Sequence, residues 1–316
     1  METRVVYYDT LRGFAILLVV IGHLIQYNYE SSIQNGLFNL IYSFHMPLFF
    51  FLSGCTRALQ ENKKGKAKTW KELFSFCMNK CRLLLLPSIA WTLLVPLFFA
   101  TTWKYNGSIS SFWFLNVLFV VSCLWTFILF IDDKLCARKK ILWLTIVIFV
   151  ILFALDIKRI PLMYMALYVF GYFFQKKSWL QKMPDIIYTL FLLAFFLSAS
   201  YFSYGQTWYG DENRVWLELP LSALASLSLT WLFCRIVNKY INSALAFWGK
   251  YSLGIYLTHF LFVDMPVIKG LENAFNSISQ FVILSILAVL IALCSTIIEK
   301  VIGAFPSLHL LLYGKR

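Results

Sequence analysis

Arg12 and His23 stand 11 residues apart in a stretch that is otherwise almost wholly apolar. In an α-helix that separation is three turns plus about 20°, so both side chains leave one face, about 16 Å apart along the axis. A guanidinium binds anions. An imidazole of near-neutral pKa takes a proton from a hydroxyl and returns it to a leaving group. Asp9, three residues before Arg12, falls on the same face and can hold the arginine in place. His45 and His259 lie in two further apolar stretches at middle or outer depth, where each can assist His23 or simply hydrogen-bond a neighbouring helix. Pro47 frees a backbone carbonyl near His45 and allows a kink, and Ser53 and Gly54 suit close helix packing. Trp113 opens another apolar run, either as an interfacial anchor or as a platform on which a sugar stacks. The 7 cysteines read as reduced thiols. Cys77 and Cys81 share a helix face, but no histidine accompanies them and no metal site is expected.

A bilayer-spanning scaffold must position these residues. The 316-residue chain is 60% hydrophobic and 14% charged, with a mean hydropathy of +0.72. No water-soluble core absorbs this many apolar runs of about 20 residues. Spans fall at about 13–29, 38–55, 83–101, 113–131, 141–155, 162–175, 186–203, 216–234, 251–265 and 278–298. That alternation puts 23 of the 28 Lys and Arg residues on the side of the two termini and 5 on the other. Cations keep to the cytoplasm, so the N- and C-termini are read as cytoplasmic. The same distribution turns the net charge of +13 away from nucleic acid and toward the bilayer. Spans five and six are short and could instead form a re-entrant hairpin. The loop 56–82 is the largest expected on the cytoplasmic side, and its part around Trp70–Met78 suits an interfacial amphipathic helix. The first run lacks a small-residue cleavage site and reads as a retained helix. The outer loop with Trp208, Tyr209, Asp211, Glu212 and Arg214 has a sugar-binding composition. The fold class is therefore all-α: a polytopic transmembrane helix bundle of about ten helices, one domain over residues 1–316.

Four segments, taken in order, carry a family likeness: Tyr8 to Gly13 leading to His23, Phe44 to Gly54, Trp113-Phe114-Leu115, and Ser252 to His259. A tail from Pro306 to Gly314 extends it. The chain resembles the acyltransferase-3 family of bacterial integral-membrane O-acyltransferases, especially short members that modify surface polysaccharides. The resemblance implies an acyl-CoA donor entering from the cytoplasm and transfer to a hydroxyl at or near the outer face of the cell (inner) membrane. It implies His23 as the catalytic residue, with Arg12 required beside it. Family members often carry two basic residues spaced by three before the third helix. Here Asn79 takes the first place, Arg82 the second, and Lys80 is displaced; the expected acyl-CoA contacts are Arg12, Arg82 and Lys80.

The resulting expectation is transfer of an acyl group, acetyl or succinyl, from acyl-CoA to a glycan or lipid-linked sugar, with no bound cofactor. His45, His259 and Trp113 would support the reaction or bind the acceptor. A covalent acyl-histidine and direct transfer remain alternatives. A secondary transporter or exporter of a glycan or lipid-linked sugar is the runner-up; it favours two homologous halves, which the sequence does not display. A non-catalytic scaffold gives no reason to align Arg12 with His23.

Overall fold

Backbone in hydrocarbon must pair its own N–H and C=O groups, and helices do so within one segment. The computed structural model describes residues 6–30, 32–99, 112–134, 159–203, 214–265, 268–274 and 277–315, and among these there is no strand. In chain order the helices are α1 (Val6–Asn28), α2 (Gly36–Tyr42), α3 (His45–Lys64), α4 (Trp70–Lys80), α5 (Leu86–Phe99), α6 (Trp113–Lys134), α7 (Arg159–Lys176) and α8 (Trp179–Lys182). There follow α9 (Asp185–Ser203), α10 (Arg214–Arg235), α11 (Lys239–Lys250), α12 (Ser252–Thr258), α13 (Leu271–Ala274), α14 (Ser277–Gly303) and α15 (Pro306–Tyr313). Helix stands at every expected span but 141–155, which lies outside the described residues, as does most of the loop around Trp208. Among the described residues, six segments are long and apolar enough to cross a membrane: Val6–Asn28, Gly36–Lys64, Trp70–Leu94, Trp113–Lys134, Leu217–Arg235 and Ser277–Gly303.

Three boundaries differ from the expected ones. The loop 56–82 shrinks to residues 65–69, because α3 continues to Lys64 and α4 starts at Trp70. Gly65 ends α3 with φ +78°, its N–H bonded to the Glu61 carbonyl. Thr69 caps α4 by accepting from the Glu72 N–H, while Glu72 accepts from the Lys68 N–H. The amphipathic stretch of α4 is continuous with the next span instead of lying apart. Between α4 and α5, residues Cys81–Leu85 form a π-helical turn, with the Leu86 N–H bonded to the Cys81 carbonyl. Pro87 follows at once. It has no N–H to offer, so one ladder position is already lost where the extra residue is inserted. Finally, the expected loop 235–250 is largely helix α11, and α12 with its 3-10 extension to Leu261 is only a short apolar segment.

The chain forms two compact units. The first comprises Met1–Phe49 and Leu180–Phe305. Here α1 and α11 cross at two glycines: a Cβ on Gly13 would overlap the Leu245 carbonyl, and one on Gly249 would overlap the Asp9 carbonyl. That backbone contact is the small-residue packing available to membrane helices. Thr10 Oγ1 lies 2.9 Å from the Asn242 carbonyl, and Asn242 donates to the Phe233 and Val237 carbonyls at the end of α10. Leu11, Ala15, Val20, Leu24 and Ile25 form the fully buried side of α1.

The second unit comprises Phe50–Trp179 and Pro306–Arg316. Gly54 of α3 and Gly171 of α7 bring those helices together; a Cβ on either would meet the Tyr168 or Phe51 carbonyl respectively. Buried Glu61 accepts from Tyr172 at 2.8 Å and from Lys176 at 2.7 Å, so its charge is compensated. The indole of Trp91 donates to the Leu312 carbonyl and ties α15 to α5.

Candidate active site

Helix α1 runs unbroken from Val6 to Asn28, so the expected shared face exists as drawn: Arg12 and His23 are both partly exposed, while Ile16, Val19 and Val20 between them are buried. Arg12 Nη1 lies 3.3 Å from Asp9 Oδ1. The Asp9 side chain is 4% exposed and that of Arg12 24%, so the carboxylate is the fixed partner of the pair and the guanidinium tip the reachable one.

At the other end, His23 Nδ1 lies 2.8 Å from His259 Nε2, with the rings stacked at 5.0 Å between centroids. His259 is fully buried, and its Nδ1 lies 2.9 Å from the Ile255 carbonyl. A carbonyl only accepts, so His259 Nδ1 carries a hydrogen. In neutral His259 the Nε2 lone pair then accepts from His23 Nδ1–H. This chain of bonds leaves the lone pair of His23 on Nε2. Tyr27, Tyr42 and Phe260 surround the His23 ring at 6.1, 6.5 and 4.8 Å between centroids. The arrangement gives one imidazole of fixed tautomer with a free basic nitrogen on a partly exposed face.

Asn28 holds the second imidazole in position. Its Nδ2 donates to the Leu24 carbonyl and, at 2.7 Å, to the Val263 carbonyl; its Oδ1 accepts from the Met265 N–H at 2.9 Å. The segment just after His259 is thereby tied to the end of α1. Periodicity alone does not reveal Asn28; its one signal in the chain is an amide at the end of an apolar run.

His45 sits beside this pair without a direct bond to His23. Its Nδ1 lies 2.7 Å from the Ile41 carbonyl, and its ring meets Tyr42 at 4.7 Å. The Tyr42 hydroxyl donates to Gln26 on α1 at 2.8 Å. The carbonyl that Pro47 leaves unpaired is that of Ser43, and the Ser222 hydroxyl lies 2.8 Å from it. The helix breaks there, between α2 and α3, so His45 opens a new helix and does not lie inside a kinked one.

The remaining candidates belong to the second unit. Trp113 stacks on Tyr164 at 5.3 Å, and Tyr164 on Phe50 at 4.4 Å, which makes Trp113 the end of an aromatic pile. Arg82 donates to Asn79 Oδ1 at 2.8 Å, so the asparagine in the usual place of a base holds the neighbouring guanidinium. Lys80 lies over the Phe76 ring at 5.6 Å.

Apolar helices of membrane length define a membrane protein, and its first unit holds a hydrogen-bonded imidazole pair. Residues 5–299 match the family described as an acyltransferase domain, and the chain belongs to this acyltransferase-3 family. Among curated proteins it is similar to nodulation protein NolL of Sinorhizobium fredii (strain NBRC 101917 / NGR234), 40% identical over 57 residues. The matched stretch is 17% of this chain and spans 16% of that relative. No solved structure matches. Family and architecture together make the protein a multi-pass membrane protein of the acyltransferase-3 family.

Proposed function

We propose that the protein moves an acyl group, acetyl in the first instance, from cytoplasmic acyl-CoA to a hydroxyl of an exported or surface glycan. The observation that supports this most is the bond series from the Ile255 carbonyl through His259 to His23, which leaves His23 Nε2 as a base. In the proposed step His23 Nε2 takes the proton of the acceptor hydroxyl as its oxygen attacks the thioester carbonyl. The C–S bond then breaks, and the leaving thiolate takes the proton from His23 Nε2. His259 acts as a positioning residue: its Nε2 accepts from His23 Nδ1–H and stabilises the imidazolium while it exists.

Arg12, held by Asp9, binds a phosphate of the donor at the cytoplasmic end of α1. The pantetheine arm is long enough to span the distance from there to His23. In the second unit Arg82 and Lys80 are the proposed phosphate-binding cations. His45 and Tyr42 serve the acceptor side. The cation bias of 23 to 5 supports cytoplasmic termini in a bacterial inner membrane.

The test is acetyl-CoA turnover by the purified chain in lipid nanodiscs with a glycan acceptor. His23→Ala is expected to lose about 10²- to 10⁴-fold in kcat, the usual worth of a general base. Wild-type turnover by folded, inserted His23→Ala protein would refute the reading. Glycan mass spectrometry of a deletion strain against its parent identifies the acceptor by loss of one acyl mass.

A further inference from the structure

Arg57 of α3 is a buried cation without a counter-ion among the described residues. The residue is 6% exposed. Its Nε lies 3.2 Å from Thr126 Oγ1 on α6, and its guanidinium carbon lies 5.0 Å over the Phe76 ring of α4. It forms no ion pair with a described carboxylate. Glu61, one turn further along α3, is already engaged by Tyr172 and Lys176. Nε is thus the one guanidinium nitrogen with a hydrogen-bond partner among the described residues, and both Nη groups keep their donors. Lys80 lies 5.6 Å from the centroid of the same Phe76 ring, so two cations contact one aromatic ring.

Taking a guanidinium out of water without a partner is unfavourable, and two like charges on one ring repel. An anion held by the two Nη groups lowers both costs. The donor set selects its class: a planar fork with two free Nη groups beside an ammonium suits the oxygens of a phosphoryl group. We propose that Arg57, with Phe76 as its floor and Lys80 beside it, is a phosphate-binding site of the second unit, occupied by the pyrophosphate or ribose phosphate of the acyl donor. The donor assignment rests on the acyl-CoA reading above; the anion site itself does not. Thr126 fixes the fork, because its hydroxyl lies 2.8 Å from the Ser122 carbonyl, which leaves its lone pairs to Arg57 Nε.

The experiment measures CoA binding by isothermal titration calorimetry on the full chain in phospholipid-free detergent, and repeats it with inorganic pyrophosphate. Arg57→Gln is expected to weaken both ligands at least tenfold. Arg57→Lys, which keeps the charge but loses the fork, is expected to fall between the two and covers the case in which Arg57→Gln does not fold. The wild-type preference for acetyl-CoA over acetyl-pantetheine, which lacks these phosphates, is expected to collapse in the same variants. Unchanged CoA and pyrophosphate affinity in the folded variants overturns the site. A phospholipid retained by wild type and lost from Arg57→Gln, with CoA affinity unchanged, overturns the donor assignment in favour of a lipid headgroup. CoA binding that depends on Arg57, in a protein that transfers no acyl group, sinks the transfer reading and leaves this site standing.

Discussion

Replacing His259 with leucine removes the acceptor of the His23 Nδ1–H and fills similar volume with an apolar side chain. The bond lost is 2.8 Å long and buried on the His259 side, which is fully inaccessible. An unsatisfied buried donor costs about 1–3 kcal/mol. Here the cost grows in the transition state, where His23 carries the incoming proton and its Nδ1–H is most acidic. At about 1.4 kcal/mol per tenfold, kcat should fall roughly 5- to 150-fold. His259 touches neither the proposed donor phosphates nor Arg12, so the KM for acetyl-CoA should change by less than about threefold. His259→Gln restores an acceptor at nearly the same reach and should recover part of the loss. The assay is thiol release from acetyl-CoA by purified protein in nanodiscs, with a thermal melt to establish folding. A folded His259→Leu protein within about twofold of wild-type kcat would refute the tautomer argument.

Two packing predictions accompany it. Gly249→Val should lower the melting temperature sharply and broaden the gel-filtration peak, because even a Cβ there overlaps the Asp9 carbonyl and must push α11 off α1; overpacking typically costs about 1–3 kcal/mol, and backbone contact puts this site at the upper end. Asn28→Leu gives up the bonds to Leu24, Val263 and Met265 that tie the post-His259 segment to α1. It should reduce kcat by at least about tenfold with a smaller change in melting temperature, since it leaves buried backbone groups unpaired near the site but leaves the α1–α11 crossing intact. Wild-type kcat in folded Asn28→Leu would remove it from the positioning apparatus.

Much of the scaffold was legible because its signals are local. Long apolar runs with few charges have to become helices in a bilayer, and their positions follow from composition alone. Helical periodicity also put Asp9, Arg12 and His23 on one face before any neighbour was known, since a face depends only on residue spacing. The boundaries that moved depended on local signals of another kind. The Thr69–Glu72 cap and Gly65 are readable in the chain but lie in a charged stretch that resembles a loop, and the π-turn before Pro87 leaves no trace in hydropathy.

The sequence by itself determined that a cation and an imidazole share the face of α1. Which imidazole completes the pair was decided by tertiary structure. His45 and His259 lay at plausible depths; the crossing of α1 with α11 and the Asn28 clamp accompany a His259 placed 2.8 Å from His23, while the His45 ring meets Tyr42. The reason is that periodicity specifies which way a side chain leaves its helix, whereas its partner across more than two hundred residues depends on where two glycines let backbones touch. The same holds for Arg57, whose lack of a counter-ion among the described residues is a property of its neighbours and not of its place in the chain.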